Sequence, residues 1–344
     1  MTGRERIRHV LRGGRADRLP RALFGGGLWS YRRCGLRPDG LKDDPAAFGN
    51  RLADLWGGLD TDIVFLGSGL NTLPAEAIGG ELAFGDGQAP LLSFPLVQSA
   101  EDARELVDID LDAAPAALAL VEMIAQVRRR LPARHLCVTS WGPFTWGMIL
   151  CDWHLLQERS ISDPGFVAAV CDLGVRLSAA LFERLAARGL VDGACIADGA
   201  VTLVAGDLYR DVVLPRERAL FERARAAGLD CFLHQCGKIA TQIPLYPETG
   251  ADCITLDAGV PIGEVHDLYG RRTTTAGNVD VIQCVRGGDE AAIREAVRAC
   301  VAGVRTPLER YILMPSCDLP ADTRIENVRA FLAAADQFGL SSAS

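Results

Sequence analysis

The chain of 344 residues is 49% hydrophobic and 23% charged, the balance of a globular protein with a sizeable core. A net charge of -8 lacks the cationic excess that neutralises phosphates, which argues against a nucleic-acid binder. The opening "MTGRERIRHVLRGGRADRLP" is charged where a signal peptide would be apolar, and no window approaches the ~18 consecutive apolar residues of a membrane span. The expectation is therefore a cytoplasmic chain without a membrane partner.

In chain order, a short helical N-terminal extension precedes a first strand, "RALFGG" (21–26). "DDPAAFGNRLADLWGG" reads as a helix with an Asp-Pro start and a glycine stop. "DIVFLG" (62–67) is the second strand, and the helix-poor "GGELAFGDGQAPLLSFPLV" (79–97) reads as a β-hairpin insertion after it. Helix "APAALALVEMIAQVRRRL" leads to strand "HLCVTSW" (135–141), and the long "SDPGFVAAVCDLGVRLSAALFERLAARG" leads to "DGACIAD" (192–198). "RERALFERARAAG" joins this to "DCFLHQC" (230–236), followed by "DCITLD" (252–257) and "TTTAGN" (273–278). "DEAAIREAVRACVAG" precedes the last strand, "YILMPSC" (311–317), and "TRIENVRAFLAAADQFG" is the final helix.

Eight strand patterns alternating with helices predict an α/β fold of the (β/α)8 TIM-barrel type, as one domain over residues 1–344. A doubly wound open sheet is the alternative, but no strand is followed by a dinucleotide fingerprint; "GGGLWS" lacks the spacing. The 11 cysteines are scattered and odd in number, and those inside apolar runs (Cys137, Cys195, Cys231, Cys253) read as small buried hydrophobes.

Barrel active sites lie at the C-terminal ends of the strands. Asp198 closes the fourth strand, His234 and Cys236 the fifth, Asp257 the sixth, Asn278 the seventh and Cys317 the eighth. Residues i and i+2 of a strand share a face, so His234 and Cys236 project together into the barrel mouth. Two chemistries fit that pair: a Cys–His nucleophile, or a metal site using imidazole and thiolate. Cys317 at the same end favours the metal, because three protein ligands leave one position of a tetrahedral zinc open for catalysis. His135 starts a strand, at the end that serves stability, and His266 falls in a helix pattern and is expected in solvent.

Several stretches then resemble one family over nearly the whole chain. "RERIRHVLRGGRADRLPRALFGGG" is similar to an N-terminal helix and first strand, "VTSWGPFTWGMIL" to an internal G-P-F-T segment, and "LHQCGKI" to an H-x-C-G motif. "AGNVDV" is similar to a late glycine-asparagine turn, and "YILMPSCDLPADTRIENVRAF" to a terminal strand and helix with their cysteine. The family is the uroporphyrinogen decarboxylase superfamily, and within it the zinc-dependent cobalamin methyltransferases, such as the methylcobamide:coenzyme M methyltransferases. The decarboxylases carry R-Q-A-G-R after the first strand, an aspartate at the second strand end and G-H-G near the last strand. This chain has "GGGLWSYRRCG", "FLGSGL" and "PSCDL" at those places. It also departs slightly from the methyltransferases, with Ser316 where glycine often precedes the late cysteine.

The resemblance implies methyl transfer from a methylated corrinoid to an acceptor, usually a thiol, with zinc on His234, Cys236 and Cys317. It makes Asp198 a candidate catalytic residue, as fourth ligand or as acceptor for a histidine N–H. On the cofactor side, Trp146 and His154 are expected to face the corrinoid, and Asn278 to shape its turn. The D-x-H-x-x-G corrinoid motif is absent, so the methylcobalamin-type co-substrate is expected on a separate corrinoid protein. Alternatives are methylation of tetrahydrofolate, demethylation of a substrate onto cob(I)alamin and, lower, decarboxylation. A sulfonate or carboxylate tail on the acceptor would need a cation such as Arg32, Arg33 or Lys238.

Overall fold

The computed structural model describes residues 1–237, 241–270 and 272–339, so Lys238 lies outside the described residues. The strands are β1 (Ala22–Leu23), β2 (Ile63–Leu66), β3 (Leu82–Ala83), β4 (Leu91–Leu92) and β5 (His135–Trp141). They continue as β6 (Gly193–Ala197), β7 (Asp230–Gln235), β8 (Cys253–Leu256), β9 (Thr274–Val279) and β10 (Tyr311–Pro315). Eight of them form one sheet in the order β1-β2-β5-β6-β7-β8-β9-β10, every neighbouring pair parallel. A parallel bridge between Arg21 and Leu313 brings β10 back to β1, with the Leu313 N–H 2.8 Å from the Pro20 carbonyl. The result is the TIM barrel that the strand count predicts. β3 and β4 pair antiparallel within 79–97, the expected hairpin insertion.

Side-chain alternation fills the barrel. Ala22, Phe24, Ile63, Phe65, Cys137, Cys195, Phe232, Cys253, Ala276, Ile312 and Met314 form one buried interior cluster. Cys137, Cys195 and Cys253 are fully buried small residues there, and burial pushes each thiol far up. Phe232 in that layer lies two residues before His234, which sets His234 on the inward face, one pleat nearer the mouth. Leu233, in the opposite phase, packs outward into the helix layer.

The N-terminal segment does more than extend the chain. Helix Gly3–Leu11 buries Ile7 and Val10 against the interior cluster and so plugs the end opposite the site. Arg6 holds it there, 2.6 Å from Asp17 and 2.6 Å from Asp62, the residue just before β2. Helix Pro164–Ala187 is long and apolar enough to cross a membrane by length and composition, yet 72% of its most apolar window is buried within the fold. His266 corrects its expectation: it is buried, with Nδ1 2.9 Å from Thr275 Oγ1 on β9.

Candidate metal centre

His234 sits near the end of β7 and is 3% exposed. The Phe24 ring stacks on its imidazole, with centroids 4.0 Å apart and planes 24° apart. Register pairs His234 with Thr255 on β8, and Thr255 Oγ1 lies 2.5 Å from His234 Nδ1. That bond fixes the ring rotation and leaves Nε2 aimed at the mouth; with Nε2 as a ligand, Nδ1 carries the proton and donates it. Cys236 follows the strand directly. The next residue, Gly237, has φ +92°, a left-handed turn suited to glycine, and its N–H donates to Asp257 Oδ2 at 3.0 Å. Asp257 thus holds the turn that presents the thiol.

Cys317 lies two residues beyond β10 and needs an anchor of its own. Asp318 supplies it: one carboxylate oxygen accepts the Gly26 N–H and the other the Ser68 hydroxyl. The run Gly25-Gly26-Gly27 makes this possible. A Cβ on Gly25 would stand 2.5 Å from the Asp318 carboxyl carbon, and one on Gly27 1.9 Å from the Ser68 carbonyl oxygen. Glycines that fail as a nucleotide fingerprint therefore serve to let the first and last barrel loops close on each other. Asp318 is half-buried, and its partial removal from water raises its carboxyl above the ordinary range.

The three soft donors converge. One ligand atom each from His234, Cys236 and Cys317 lies within 4.8 Å of the others, and Cys317 Sγ is 3.6 Å from His234 Nε2. Zinc bonds of about 2.0–2.1 Å to nitrogen and 2.3 Å to sulfur at tetrahedral angles require donor separations of roughly 3.5–3.8 Å. The residues therefore fit a zinc ion. Hydrogen bonds with Cys317 and His234 drive the Cys236 thiol well below its ordinary range, toward the thiolate that binds metal, while Cys317 is pushed the other way by the same bond and by burial. Gly199 gives the sulfur room, because a Cβ there would stand 2.6 Å from Cys236 Sγ.

Other expected site residues are placed differently. Asp198 is fully buried and turned toward the helix Pro143–Leu150, accepting from the N–H of Phe144 (3.2 Å), the N–H of Thr145 (2.7 Å) and the hydroxyl of Thr145 (2.8 Å). Its oxygens bind a helix N-terminus, where a carboxylate complements the dipole, so the ligand expectation is corrected. Thr255, missed in the sequence, meets the histidine instead. Burial raises Asp198. It adjoins the buried Glu217, which is also raised, by burial and by the nearby Asp198 charge. Glu217 in turn accepts from Tyr209 Oη (2.7 Å) and from Nε2 of Gln235 (3.0 Å), the last residue of β7, between His234 and Cys236. This buried polar cluster backs the ligand strand from outside.

Asn278, expected on the cofactor side and in its own turn, lies within β9 and donates its Nδ2 to the carbonyls of Asp257 (2.8 Å) and Val260 (2.7 Å), holding the loop after β8. Trp146 corrects the expectation of a corrinoid-facing ring: it is fully buried, and its Nε1 donates to Ser178 Oγ at 2.8 Å within the helix layer. His154 is exposed on helix Trp153–Ser162 and is not among the residues lining the mouth. The mouth is a cavity of about 490 Å³ whose walls include Phe24, Trp141, Met148, Asp318 and all three donors.

The uroporphyrinogen decarboxylase (URO-D) family profile matches residues 2–338. The methylated-thiol–coenzyme M methyltransferase of Methanosarcina mazei is 27% identical over 133 residues, which are 39% of this chain; the match spans only about a third (34%) of that relative. The uroporphyrinogen decarboxylase of Erythrobacter litoralis is 27% identical over 296 residues, 80% of this chain and 83% of the relative. Among solved structures, a methyltransferase from Methanosarcina mazei superposes with a TM-score of 0.83 at 20% identity, covering 98% of this chain and 99% of that one, a likeness of fold. With a family match over nearly its whole length, the chain belongs to the uroporphyrinogen decarboxylase (URO-D) family.

Proposed function

We propose that this protein is a zinc-dependent methyltransferase that moves a methyl group from a corrinoid, carried by a separate protein, to a small thiol seated at His234, Cys236 and Cys317. The observation that carries the reading is the convergence of one imidazole and two thiols at the open end of a barrel, with donor spacing suited to zinc. A zinc ion held there would act as a Lewis acid, deprotonating a thiol that is otherwise only partly ionised at neutral pH, its free pKa being about 8.5.

The chain's own residues supply the rest. Cys236 and Cys317, as thiolates beside a neutral imidazole, balance a divalent charge, so an arriving sulfur retains its electron density. Thr255 and the Phe24 ring hold His234 in one orientation. Asp318 ties Cys317 to the first two barrel loops. In the transfer, the acceptor sulfur gives its proton to solvent and bonds the methyl carbon. The electron pair of the broken cobalt–carbon bond stays on the corrinoid, which is reduced by two electrons.

Zinc content and methyl transfer from free methylcobalamin to a panel of thiols test this reading. One equivalent of zinc and thiol-dependent formation of cob(I)alamin are expected in the parent, and both are lost in Cys236→Ala and Cys317→Ser variants that keep the fold. A variant retaining a full equivalent of zinc sinks the ligand assignment. Zinc without methyl transfer to any thiol sinks the activity.

A further inference from the structure

Arg32 and Arg33 end the helix Gly27–Arg33, beside the mouth. With Asp322, Thr323, Arg324 and Glu326 they line a cleft of about 480 Å³ that shares Ala321 with the mouth cavity. Both carboxylates of the cleft are already committed. Asp322 pairs with Arg286 at 2.6 Å, and Glu326 with Arg324 at 3.6 Å. Four guanidiniums thus face two carboxylates, a local positive excess on a chain whose net charge is -8.

The backbone adds to that excess. Helix Ile325–Gly339 starts in the same cleft, and its first bond runs from the Val328 N–H to the Arg324 carbonyl at 3.3 Å. The N–H groups of the turn before Val328 have no acceptor inside the helix. Arg324 at the cap has a side chain with donors only, so it adds positive charge to the positive end of the dipole instead of offsetting it. Thr323, next to it, is 2% exposed. Its carbonyl accepts from Trp29 Nε1 at 2.8 Å and its N–H donates to the Pro320 carbonyl at 2.9 Å, which fixes the residue in place. Its hydroxyl has no hydrogen-bond partner among the described residues, a cost that a buried polar group normally escapes by finding one.

We propose that this cleft is a phosphate site, in which Arg32, Arg33 and Arg324 pair with the phosphoryl oxygens, the Thr323 hydroxyl donates to one of them, and the helix N-terminus faces the charge. Guanidinium forks and helix N-termini both suit a tetrahedral oxyanion. Two sources carry that group: the phosphodiester in the nucleotide tail of a cobalamin seated over the mouth, or a separate phosphate ester. The site stands on the cleft alone; only the first source rests on the methyltransferase reading.

The test titrates inorganic phosphate into the zinc-loaded full chain at low salt and follows the heat. One equivalent should bind. The Arg32→Ala/Arg33→Ala double variant should bind at least ~10-fold more weakly, the scale of lost charge-assisted hydrogen bonds. Thr323→Val, which keeps the shape and removes the hydroxyl, should weaken binding several-fold, and both variants should keep their zinc content and melting temperature. Phosphate that does not bind the parent, or that binds the double variant equally well, as an anion on the zinc would, overturns the inference. Methyl-transfer kinetics then assign the source. If the phosphate is the corrinoid's, the double variant raises KM for methylcobalamin and leaves it unchanged for methylcobinamide, which lacks the nucleotide tail. An unchanged KM for both assigns the site to a separate phosphate ester. If neither corrinoid gives up its methyl group to a thiol while phosphate binds as described, the site stands and the methyltransferase reading falls.

Discussion

Replacing Gly199 with alanine sets a methyl carbon 2.6 Å from Cys236 Sγ, and bringing that pair out to an ordinary contact of 3.4 Å moves the sulfur by about 0.8 Å. Zinc–ligand distances tolerate only ~0.2 Å of scatter, so a displacement several times larger removes one donor from a productive position. Gly199 has no left-handed φ, so the alanine backbone is unstrained and the perturbation is purely steric. The sulfur borders a cavity and can swing into it, which limits the overpacking cost to ~1 kcal/mol, the low end of the usual range. The expected outcome is a near-normal melting curve with zinc affinity lowered ~10–100-fold, the scale seen when the support of a metal site is disturbed. Competition against a chromophoric chelator measures the affinity, and circular dichroism measures the melting. Zinc binding within about twofold of the parent would refute the placement of Cys236 in the donor set.

Thr255→Val keeps the shape of the side chain and removes the bond to His234 Nδ1, so zinc affinity should fall ~10–100-fold in the same assay while the melting temperature holds. Asp318→Ala frees the Gly26 N–H and leaves the Ser68 hydroxyl unpaired; ~1–3 kcal/mol of stability should be lost in denaturant titration, together with zinc occupancy. Glu217→Gln tests the buried carboxyl cluster through pH. The folded-state pKa of Glu217 is raised above its ordinary 4.5, so its neutral form favours the fold below that value, and stability drains away as pH rises toward the raised pKa. The permanently neutral glutamine should flatten that loss, and melting temperatures from about pH 5 to 9 would show parallel curves for parent and variant if the reasoning were wrong.

Much of the fold was legible because barrel strands are short apolar runs between amphipathic helices, and the eight runs marked in the sequence are the eight strands of the sheet. The strand ends were less so. "RALFGG" forms a strand only at Ala22–Leu23, because Gly25 and Gly26 adopt left-handed φ and turn toward Asp318. The donor set was legible through the period of two on β7 and the cysteine past β10. The supporting partners were not, because they depend on register and on helix packing. Thr255 meets His234 because β7 and β8 pair at that step. Asp198 looked like a ligand from its place at a strand end, but its carboxylate turns to the backbone of Phe144 and Thr145, a choice made by where the next helix begins. Trp146 sat near the third strand end in sequence, yet its helix directs it at Gly174 and Ser178, away from the mouth. Asp318 had one available signal, its place next to Cys317 in "PSCDLP".

X-ray absorption at the zinc edge tests the central claim most directly. The protein, loaded with one equivalent of zinc and without a thiol, should give two sulfur neighbours at about 2.3 Å and one imidazole nitrogen at about 2.0–2.1 Å, with one further light ligand. A third sulfur should appear when the acceptor thiol is added. Failure to bind an equivalent of zinc, or a shell made only of nitrogen and oxygen, would contradict the assignment of His234, Cys236 and Cys317 as a metal centre.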